Sequence, residues 1–227
     1  MGRVVEHTPG VYFLEDDGQR LLATRNLAPG RKVYGEELVN VGGVEYRLWN
    51  PSRSKLGAAI MRGLKRNPIL PGGKVLYLGV ASGTTCSHVS DIIGDSGHVW
   101  GVDFAPRPIR DLIDHVARYR KNITPILGDA RQPQSYSLQV PKVETIFADV
   151  AQPDQADIVI KNAKLYLKRG GYAMLSIKSR SVDVGRSPAE VYEEQVGILK
   201  RGGFSVEELI ELDPFEVDHA LALASLV

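Results

Sequence analysis

The chain has 227 residues, 43% of them hydrophobic and 24% charged, with a formal net charge of +1. These values predict one domain, or a domain with an appendage, around a substantial core; they exclude a disordered chain and, taken over the whole chain, argue against a polyanionic partner. The single cysteine, Cys86, excludes an internal disulfide framework and an all-cysteine zinc site, and five scattered histidines form no metal-binding pattern.

The two ends of the chain carry no targeting or membrane signal. Residues 1–7 lack the apolar core of a signal peptide, and the apolar run over residues 220–227 is too short to cross a bilayer. A lone cysteine suits a reducing compartment. We therefore expect a soluble intracellular protein.

The first fifty residues predict a small antiparallel module of hairpins. Short apolar runs alternate with tight-turn signals. The runs are residues 11–14, 21–24, 33–41 and 44–49, and the turns are Asp17-Gly18 and Gly42-Gly43. Asn50-Pro51 then breaks the pattern. We expect a hairpin domain over residues 1–52 and a main domain over residues 53–227.

The main domain alternates strand and helix signals. Five short apolar runs have the length of buried strands, at residues 74–78, 99–104, 123–127, 143–148 and 171–177, and two final strands are expected around residues 204–212 and 219–227. Helical periods lie between several of them, at Cys86/Val89/Ile93, Ile109/Leu112/Ile113/Val116 and Ala156/Ile160/Ala163/Leu167. A capping box at Ser187-Pro188-Ala189-Glu190 opens a helix that ends near Gly202-Gly203. The pattern predicts a doubly wound α/β sheet with helices on both faces.

Charge is distributed unevenly along the chain. Residues 1–186 hold 26 basic and 18 acidic residues, a local charge of +8, whereas residues 187–227 hold two and nine, a local charge of −7. Two stretches concentrate the bases, namely residues 51–67, without an acid, and residues 161–186, where Asp183 is the only acid. The near-neutral total therefore conceals a basic body and an acidic end, so it does not by itself exclude a polyanionic partner.

A ligand site is expected beyond the carboxyl ends of the parallel strands. Residues 79–85 form a turn of small residues that either presents a helix N-terminus to a carboxylate or phosphate or is a plain connection. Asp103, after the second strand, is placed to bind ribose hydroxyls. Phe104 stacks on a base or is an ordinary core aromatic. Asp129 and the backbone of Ala130 read an adenine edge, or Asp129 caps a helix.

The turn at Gly79 lacks the second glycine of the G-x-G-x-x-G motif, which disfavours a diphosphate-binding dehydrogenase. Residues 149–154 follow the fourth strand and Lys178 follows the fifth. A cofactor with an adenosine and a carboxylate but no diphosphate fits these strand ends better. S-adenosylmethionine meets that description.

Five segments resemble the fibrillarin family, the methyltransferases of box C/D ribonucleoproteins, and the resemblance runs from about Val11 to His219. They are YRLWNP at 46–51, VLYLGVASGTT at 75–85, GVDFAPR at 101–107, FADVAQPDQ at 147–155 and SIKSRS at 176–181. The resemblance implies a Rossmann-like, seven-stranded methyltransferase domain that uses S-adenosylmethionine. It implies 2'-O-methylation of ribose in rRNA or tRNA.

The resemblance also implies an assembly. The expected partners are a box C/D guide RNA, the target RNA, a coiled-coil Nop-family scaffold protein and a kink-turn-binding, ribosomal-protein-like subunit. Only about ten residues precede the first predicted hairpin, so the chain is similar to the compact archaeal form, without the Gly/Arg-rich nucleolar extension. A cytoplasmic location is the corresponding expectation.

Four residues match the catalytic positions of the family: Lys55, Asp149, Lys178 and His219. Lys178 would contact the target hydroxyl as a base or as an orienting cation; Lys55 would favour its neutral form and Asp149 its charged form, so both roles stay open. Lys55 is alternatively a solvated charge or a phosphate contact. His219 is a proton relay or a structural residue.

The remaining predicted site residues belong to the cofactor or to RNA. The cofactor set is Gly79, Ala81, Thr84, Thr85, Asp103, Phe104, Asp129, Ala130, Asp149, Val150, Ala151 and Gln152. Alternatively, the two threonines cap a helix, and Gln152 shapes the turn before Pro153. The predicted RNA contacts are Arg53, Arg62, Lys65, Arg66, Arg107 and Arg180, each of which is alternatively an ordinary surface charge.

Two other functions compete with this one. A small-molecule methyltransferase with the same cofactor site would show no salt-dependent affinity for RNA. A structural subunit that only places guide RNA and scaffold would not bind S-adenosylmethionine.

Overall fold

A computed structural model describes residues 3–16 and 18–227, which form two β-sheets. The first sheet is antiparallel, with strand order β1-β2-β3-β5-β4. Its strands are β1 (Arg3–Thr8), β2 (Val11–Asp16), β3 (Gln19–Arg25), β4 (Leu38–Val41) and β5 (Val44–Leu48). The predicted antiparallel module is therefore confirmed, although some of its bounds differ.

The structure corrects the N-terminal prediction at two points. About ten residues were expected before the first hairpin, but β1 lies among them and pairs with β2. Residues 33–37 are not a strand, because the backbone N–H groups of Val33 and Tyr34 donate to the carboxylate of Glu36 at 2.9 and 2.8 Å. The predicted turn at residues 17–18 includes Asp17, which lies outside the described residues.

The second sheet has strand order β11-β12-β10-β9-β6-β7-β8. Strands β6, β7, β8, β9 and β10 pair with one another in parallel. Strand β12 is antiparallel to both of its neighbours, β10 and β11. The strands are β6 (Lys74–Leu78), β7 (His98–Asp103), β8 (Ile123–Leu127), β9 (Val143–Ala148), β10 (Leu167–Lys178), β11 (Phe204–Glu211) and β12 (His219–Leu226). The order reverses between β6 and β9, where a doubly wound sheet binds its ligands.

Helices cover both faces of this sheet. They are α1 (Lys55–Met61), α2 (Thr84–Ile93), α3 (Pro106–His115), α4 (Gln155–Tyr166), α5 (Ser179–Val182) and α6 (Pro188–Arg201). Alternate residues of β6 enter different cores: Leu76 and Leu78 pack with α4 and α6, whereas Val75 and Tyr77 pack with α1, α2 and the first sheet. The predicted doubly wound architecture is confirmed. No helix in the described ranges is long and apolar enough to cross a membrane.

The helices lie where the sequence predicts them, but two of the residues predicted to face the core from a helix do not. Ile113 is 46% exposed, because α3 directs Ile109 and Leu112 to the core instead. Leu167 begins β10, opposite Val143, rather than ending α4. The predicted capping box of α6 is present, with the hydroxyl of Ser187 and the carboxylate of its helical partner bonded reciprocally to the backbone.

A buried polar cluster joins the first sheet to α2. Arg47, on β5, lies 2.8 Å from Asp91 Oδ2 on α2 and 2.6 Å from Glu36 Oε1, and its guanidinium is fully buried. Thr24 and the guanidinium of Arg120 also bond to Asp91. These contacts hold α2, and hence the turn before it, against the first sheet. The division into domains at residues 52 and 53 stays a prediction.

His88 lies in the same cluster, stacked on Trp49 with 4.6 Å between ring centroids. Its ring nitrogens lie 2.8 Å from Thr24 Oγ1 and 2.8 Å from the hydroxyl of Tyr34. Burial lowers the pKa of His88 well below its usual value, and the nearby arginines act in the same direction. The imidazole is therefore neutral in the folded protein near pH 7.

Replacing Arg47 with methionine removes one cation from a cluster that buries two carboxylates. We expect the free energy of unfolding to fall by about 3–5 kcal/mol in urea denaturation, because a buried charge then lacks its partner. Arg186→Met is the matched control: Arg186 pairs with Glu194 on the surface, so a loss below about 1 kcal/mol is expected. Equal losses for the two variants would contradict the role given to the cluster.

Candidate active site

The residues after β6 and β9 meet at the point where strand order reverses. The backbone N–H of Asp149 donates to the carbonyl oxygen of Leu78 at 2.8 Å. Gly79 has a φ of +78°, and a Cβ built on it would lie 2.6 Å from the carbonyl oxygen of Asp149. Only glycine permits both this backbone conformation and this approach.

Two lysines converge on Asp149. Lys178 Nζ lies 2.9 Å from Asp149 Oδ1 and donates a hydrogen bond to the backbone carbonyl oxygen of the same residue at 3.0 Å. Lys55 Nζ, from the first residue of α1, lies 3.6 Å from the same Oδ1. All three side chains are 15–17% exposed. The structure thus brings together three of the four side chains that the resemblance picked out as catalytic.

The fourth, His219, is the first residue of β12 and lies beside Lys178 in the antiparallel register. Its Nδ1 donates to the carbonyl oxygen of Val217 at 2.6 Å. A residue that the sequence reasoning missed connects it to the lysines. Glu216 Oε1 lies 3.7 Å from Lys55 Nζ, and its Oε2 lies 3.9 Å from His219 Nδ1. The available signal was a carboxylate three residues before the histidine.

Gln155 was also missed, although it lies within a segment that carried the resemblance. Its side-chain Oε1 accepts from the backbone N–H of Lys178 at 3.0 Å, and its Nε2 donates to the carbonyl oxygen of Lys178 at 3.2 Å. The amide side chain is buried. Gln155 therefore fixes the main chain from which the Lys178 side chain extends.

The turn that follows β6 is tied to the end of β7. The carboxylate of Asp103 accepts from the backbone N–H of Ala81 at 2.9 Å and from that of Ala105 at 2.9 Å. Ala81 has a φ of +49°, a left-handed conformation that is uncommon for alanine. The contact with Asp103 stabilises that conformation. Ala81 is exposed at the sheet edge.

The helix α2 begins directly after this turn, with Gly83 at its N-cap and no side-chain cap. The alternative in which Thr84 and Thr85 cap the helix is therefore wrong. Thr85 is buried, and its hydroxyl donates to Ser54 Oγ, the N-cap of α1, at 2.9 Å. No side chain caps the N–H groups at the start of α2, so they are available to a carboxylate.

Cys86, one turn into α2, is fully buried. Burial raises the pKa of its thiol to about 12, and Arg120 opposes this shift only in part. Because the thiolate is the reactive form of cysteine, Cys86 contributes packing rather than nucleophilic chemistry.

Phe104 and Asp129 lie at the ends of β7 and β8. Phe104 is 64% exposed, so its interpretation as a core aromatic is wrong. Asp129 pairs with Arg131 at 2.8 Å, and hydrogen bonds from that guanidinium hold the pKa of Asp129 below its usual value. Asp129 caps no helix; its Oδ1 accepts from the backbone N–H of Arg131 at 2.9 Å. Ala130, beside it, is buried.

The segment after Asp149 contributes three more of the predicted residues. Val150 is buried and Ala151 is exposed. Gln152 Oε1 is buried and has no hydrogen-bond partner among the described residues. A buried amide oxygen without a donor fits a ligand that carries one. The α-ammonium group of S-adenosylmethionine is such a donor, so these residues fit the predicted cofactor.

The predicted RNA-binding residues do not form one group. Arg53 is exposed two residues before Lys55, and Arg180 is exposed two residues after Lys178, where it pairs with Asp218 at 2.9 Å. Arg107 is exposed at the start of α3, close to Phe104 in the chain.

Three further bases lie against the acidic strand β11; they are Arg62, Lys65 and Arg66. The backbone N–H groups of Lys65 and Arg66 donate to Glu208 at 3.1 and 3.2 Å, and Arg66 pairs with Glu207 at 3.5 Å. The expected separation of a basic body from an acidic end is therefore wrong here. The chain folds β11 back onto the basic stretch, so the two charges meet in space.

Comparison with known proteins identifies relatives along nearly the whole chain. The family model described as Fibrillarin matches residues 3–226. A fibrillarin-like rRNA/tRNA 2'-O-methyltransferase of Thermococcus onnurineus is 58% identical over 214 residues, covering 94% of each chain.

Two solved structures superpose on the chain. Aeropyrum pernix fibrillarin, in complex with natively bound S-adenosyl-L-methionine, has a TM-score of 0.89 and 50% identity over 99% of this chain and 100% of that one. A fibrillarin in complex with Nop5p has a TM-score of 0.87 and 38% identity, over 98% of this chain and 100% of that one.

Substituting Gly79 with alanine tests the close approach at the centre of the site. The added Cβ would meet the carbonyl oxygen of Asp149, the acceptor of Lys178, so we expect at least tenfold weaker binding of S-adenosylmethionine by calorimetry. Gly30→Ala is the matched control. Gly30 has a φ of +76°, but a Cβ there has nothing within 4 Å. Equal affinities of the two variants for S-adenosylmethionine would contradict the role given to the contact with Asp149.

Proposed function

The chain belongs to the fibrillarin family, and from that premise we propose how its residues methylate RNA. It is an S-adenosylmethionine-dependent 2'-O-methyltransferase that acts on ribose in RNA. The observation that carries the residue assignment is the pair of lysines on Asp149, with Lys178 at 2.9 Å and Lys55 at 3.6 Å. This cluster lies at the switch point of the sheet, where the fold binds ligands.

The cofactor would lie across the carboxyl ends of β6, β7 and β9. Asp103 would bind the ribose hydroxyls and the exposed ring of Phe104 would stack on the base, with Asp129 and Ala130 at the adenine edge. The N-terminus of α2 and Gln152 suit the carboxylate and ammonium of the amino-acid part. S-adenosylmethionine supplies, when bound, a methyl group on a positively charged sulfur.

Lys178 is proposed to act on the target hydroxyl as a cation. Its Nζ is bonded to the carbonyl oxygen of Asp149 and paired with the carboxylate of the same residue. An ammonium group near the 2'-oxygen stabilises the negative charge that develops there as the hydroxyl proton passes to water. Lys178 also orients the oxygen for an in-line attack.

Lys55 and His219 complete the proposed centre. Lys55 is as shielded as Lys178 and is paired with two carboxylates, which disfavours its alternative as a freely solvated charge. His219 uses Nδ1 to bond Val217, so its Nε2 is the nitrogen available to the substrate side.

RNA contacts are proposed to centre on the bases that flank the catalytic lysines. Arg53 and Arg180 are exposed next to Lys55 and Lys178 in the chain, and they would bind phosphates on either side of the target ribose. Arg107 extends this surface. The stretch that contacts β11 contributes less, because Glu207 and Glu208 offset its charge.

A Nop-family protein is the partner that its relatives support. We propose that the chain works inside a box C/D particle with a guide RNA and a kink-turn-binding subunit. In such a particle, base pairing with the guide RNA would select the target nucleotide.

Two substitutions separate chemistry from cofactor binding. In a guide-directed methylation assay with the assembled particle, Lys178→Ala should lower methyl transfer by about 100-fold or more, while the affinity for S-adenosylmethionine stays within about twofold. Asp103→Ala should weaken that affinity by about tenfold, because charge-assisted hydrogen bonds are lost.

Calorimetry on the free protein and mass spectrometry of the RNA give the two readouts. Wild-type transfer by the Lys178 variant would remove that residue from the centre, and unchanged affinity in the Asp103 variant would overturn the ribose assignment.

A further inference from the structure

Glu216 contacts two of the proposed catalytic side chains, yet neither a sequence motif nor the proposed mechanism uses it. Its carboxylate lies between Lys55 Nζ, at 3.7 Å, and His219 Nδ1, at 3.9 Å. Its side chain is 22% exposed, about as shielded as the groups it contacts. Asp149 is the other carboxylate within ion-pair distance of Lys55 in the part of the chain that the structure describes.

Backbone hydrogen bonds close the turn that carries Glu216. The backbone N–H groups of Phe215 and Glu216 donate to the carbonyl oxygen of Leu212 at 3.0 and 3.3 Å, and the N–H of Leu212 donates to the carbonyl oxygen of His219 at 2.9 Å. These bonds make a compact turn between β11 and β12. The carboxylate therefore projects from a fixed main chain.

The other side of this turn is attached to the residues that follow Lys178. Asp218 has a φ of +58°, a left-handed conformation that is unfavourable for a residue with a side chain. The backbone N–H and hydroxyl of Ser179 bond to its carbonyl oxygen at 3.2 and 3.0 Å, and Arg180 binds its carboxylate at 2.9 Å. Strain of this kind persists where surrounding contacts enforce it, and it clusters at functional sites.

Glu216 supplies a second carboxylate for Lys55. Without it, Lys55 and Lys178 would both depend on the single carboxylate of Asp149. Lys55 would then move toward Asp149 and compete with Lys178 for Oδ1, because the opposing attraction would be absent. With Glu216 in place, Lys55 lies between two carboxylates, and Lys178 keeps the 2.9 Å contact.

We propose that Glu216 is a positioning residue for methyl transfer: it holds Lys55 away from Lys178 and faces the Nδ1 side of His219. The centre is then a row of alternating charge, namely Lys178, Asp149, Lys55 and Glu216, with the ring of His219 at its end. Glu216 acts through these side chains and touches neither substrate nor cofactor. The inference rests on the proposed function.

Glu216→Gln and Glu216→Asp test the proposal in the assembled guide particle. Glu216→Gln removes the charge at nearly constant shape and should lower kcat about 10- to 100-fold, as expected for a displaced catalytic group. The KM for S-adenosylmethionine, its calorimetric affinity and the Tm of the free protein should stay near wild type. Glu216→Asp keeps the charge on a shorter side chain and should recover part of kcat. A purely structural role would move Tm and affinity together with kcat.

The matched control is Glu211→Gln. This residue belongs to the same acidic segment; its backbone carbonyl oxygen accepts from Arg62, and its side chain forms no ion pair among residues 3–16 and 18–227. Its kcat should equal that of the wild type. Wild-type kcat in Glu216→Gln, or a loss matched by lower Tm and cofactor affinity, would overturn the proposal. If Glu216→Gln does not fold, Glu216→Ala takes its place, and a wild-type kcat in that variant overturns the proposal. An inactive wild-type particle would instead contradict the proposed function.

Discussion

The arrangement of the site depends on how Asp149 is held at the switch point of the sheet. Its main chain is bonded to the end of β6, and the missing side chain of Gly79 leaves room for its carbonyl oxygen. That carbonyl and the carboxylate then receive Lys178, while the carboxylate also faces Lys55. Backbone geometry and charge thus act on one residue, and the distances between the proposed catalytic groups follow from it.

The first sheet supports the site, although its strands contain none of the predicted site residues. Arg47 and Asp91 fix α2 against this sheet through fully buried ion pairs, and α2 starts at the turn that we assign to the cofactor. Removing one partner of such a buried pair leaves the other charge unpaired, so the pairs favour this one arrangement of α2 and the sheet. Thr85 then joins the start of α2 to Ser54, at the start of the helix that carries Lys55. Cofactor turn and catalytic lysine are therefore held by a common set of contacts.

Sequence patterns predicted the second sheet well, because most of its strands contain short apolar runs that helices cover on both sides. They missed β1, whose residues are mostly exposed or half-buried and carry little apolar signal. Asp103 and Asp149 were identified because they follow predicted strands. Lys55, Lys178 and His219 were identified from the family resemblance. Neither indicated Glu216, whose role depends on a turn that only tertiary contacts define. The pairing of β11 with the basic stretch was hidden for the same reason, since it joins residues about 140 positions apart.

The central claim is that this centre methylates the 2'-oxygen of ribose, and the position of the transferred methyl group tests it most directly. The assembled particle would be given two guide-matched RNAs, one of them with a 2'-deoxy nucleotide at the target position, and the products mapped by mass spectrometry. We expect one methyl group on the ribose of the unmodified target and none on the deoxy target. A methyl group on the deoxy target, or on a base of either RNA, would contradict it.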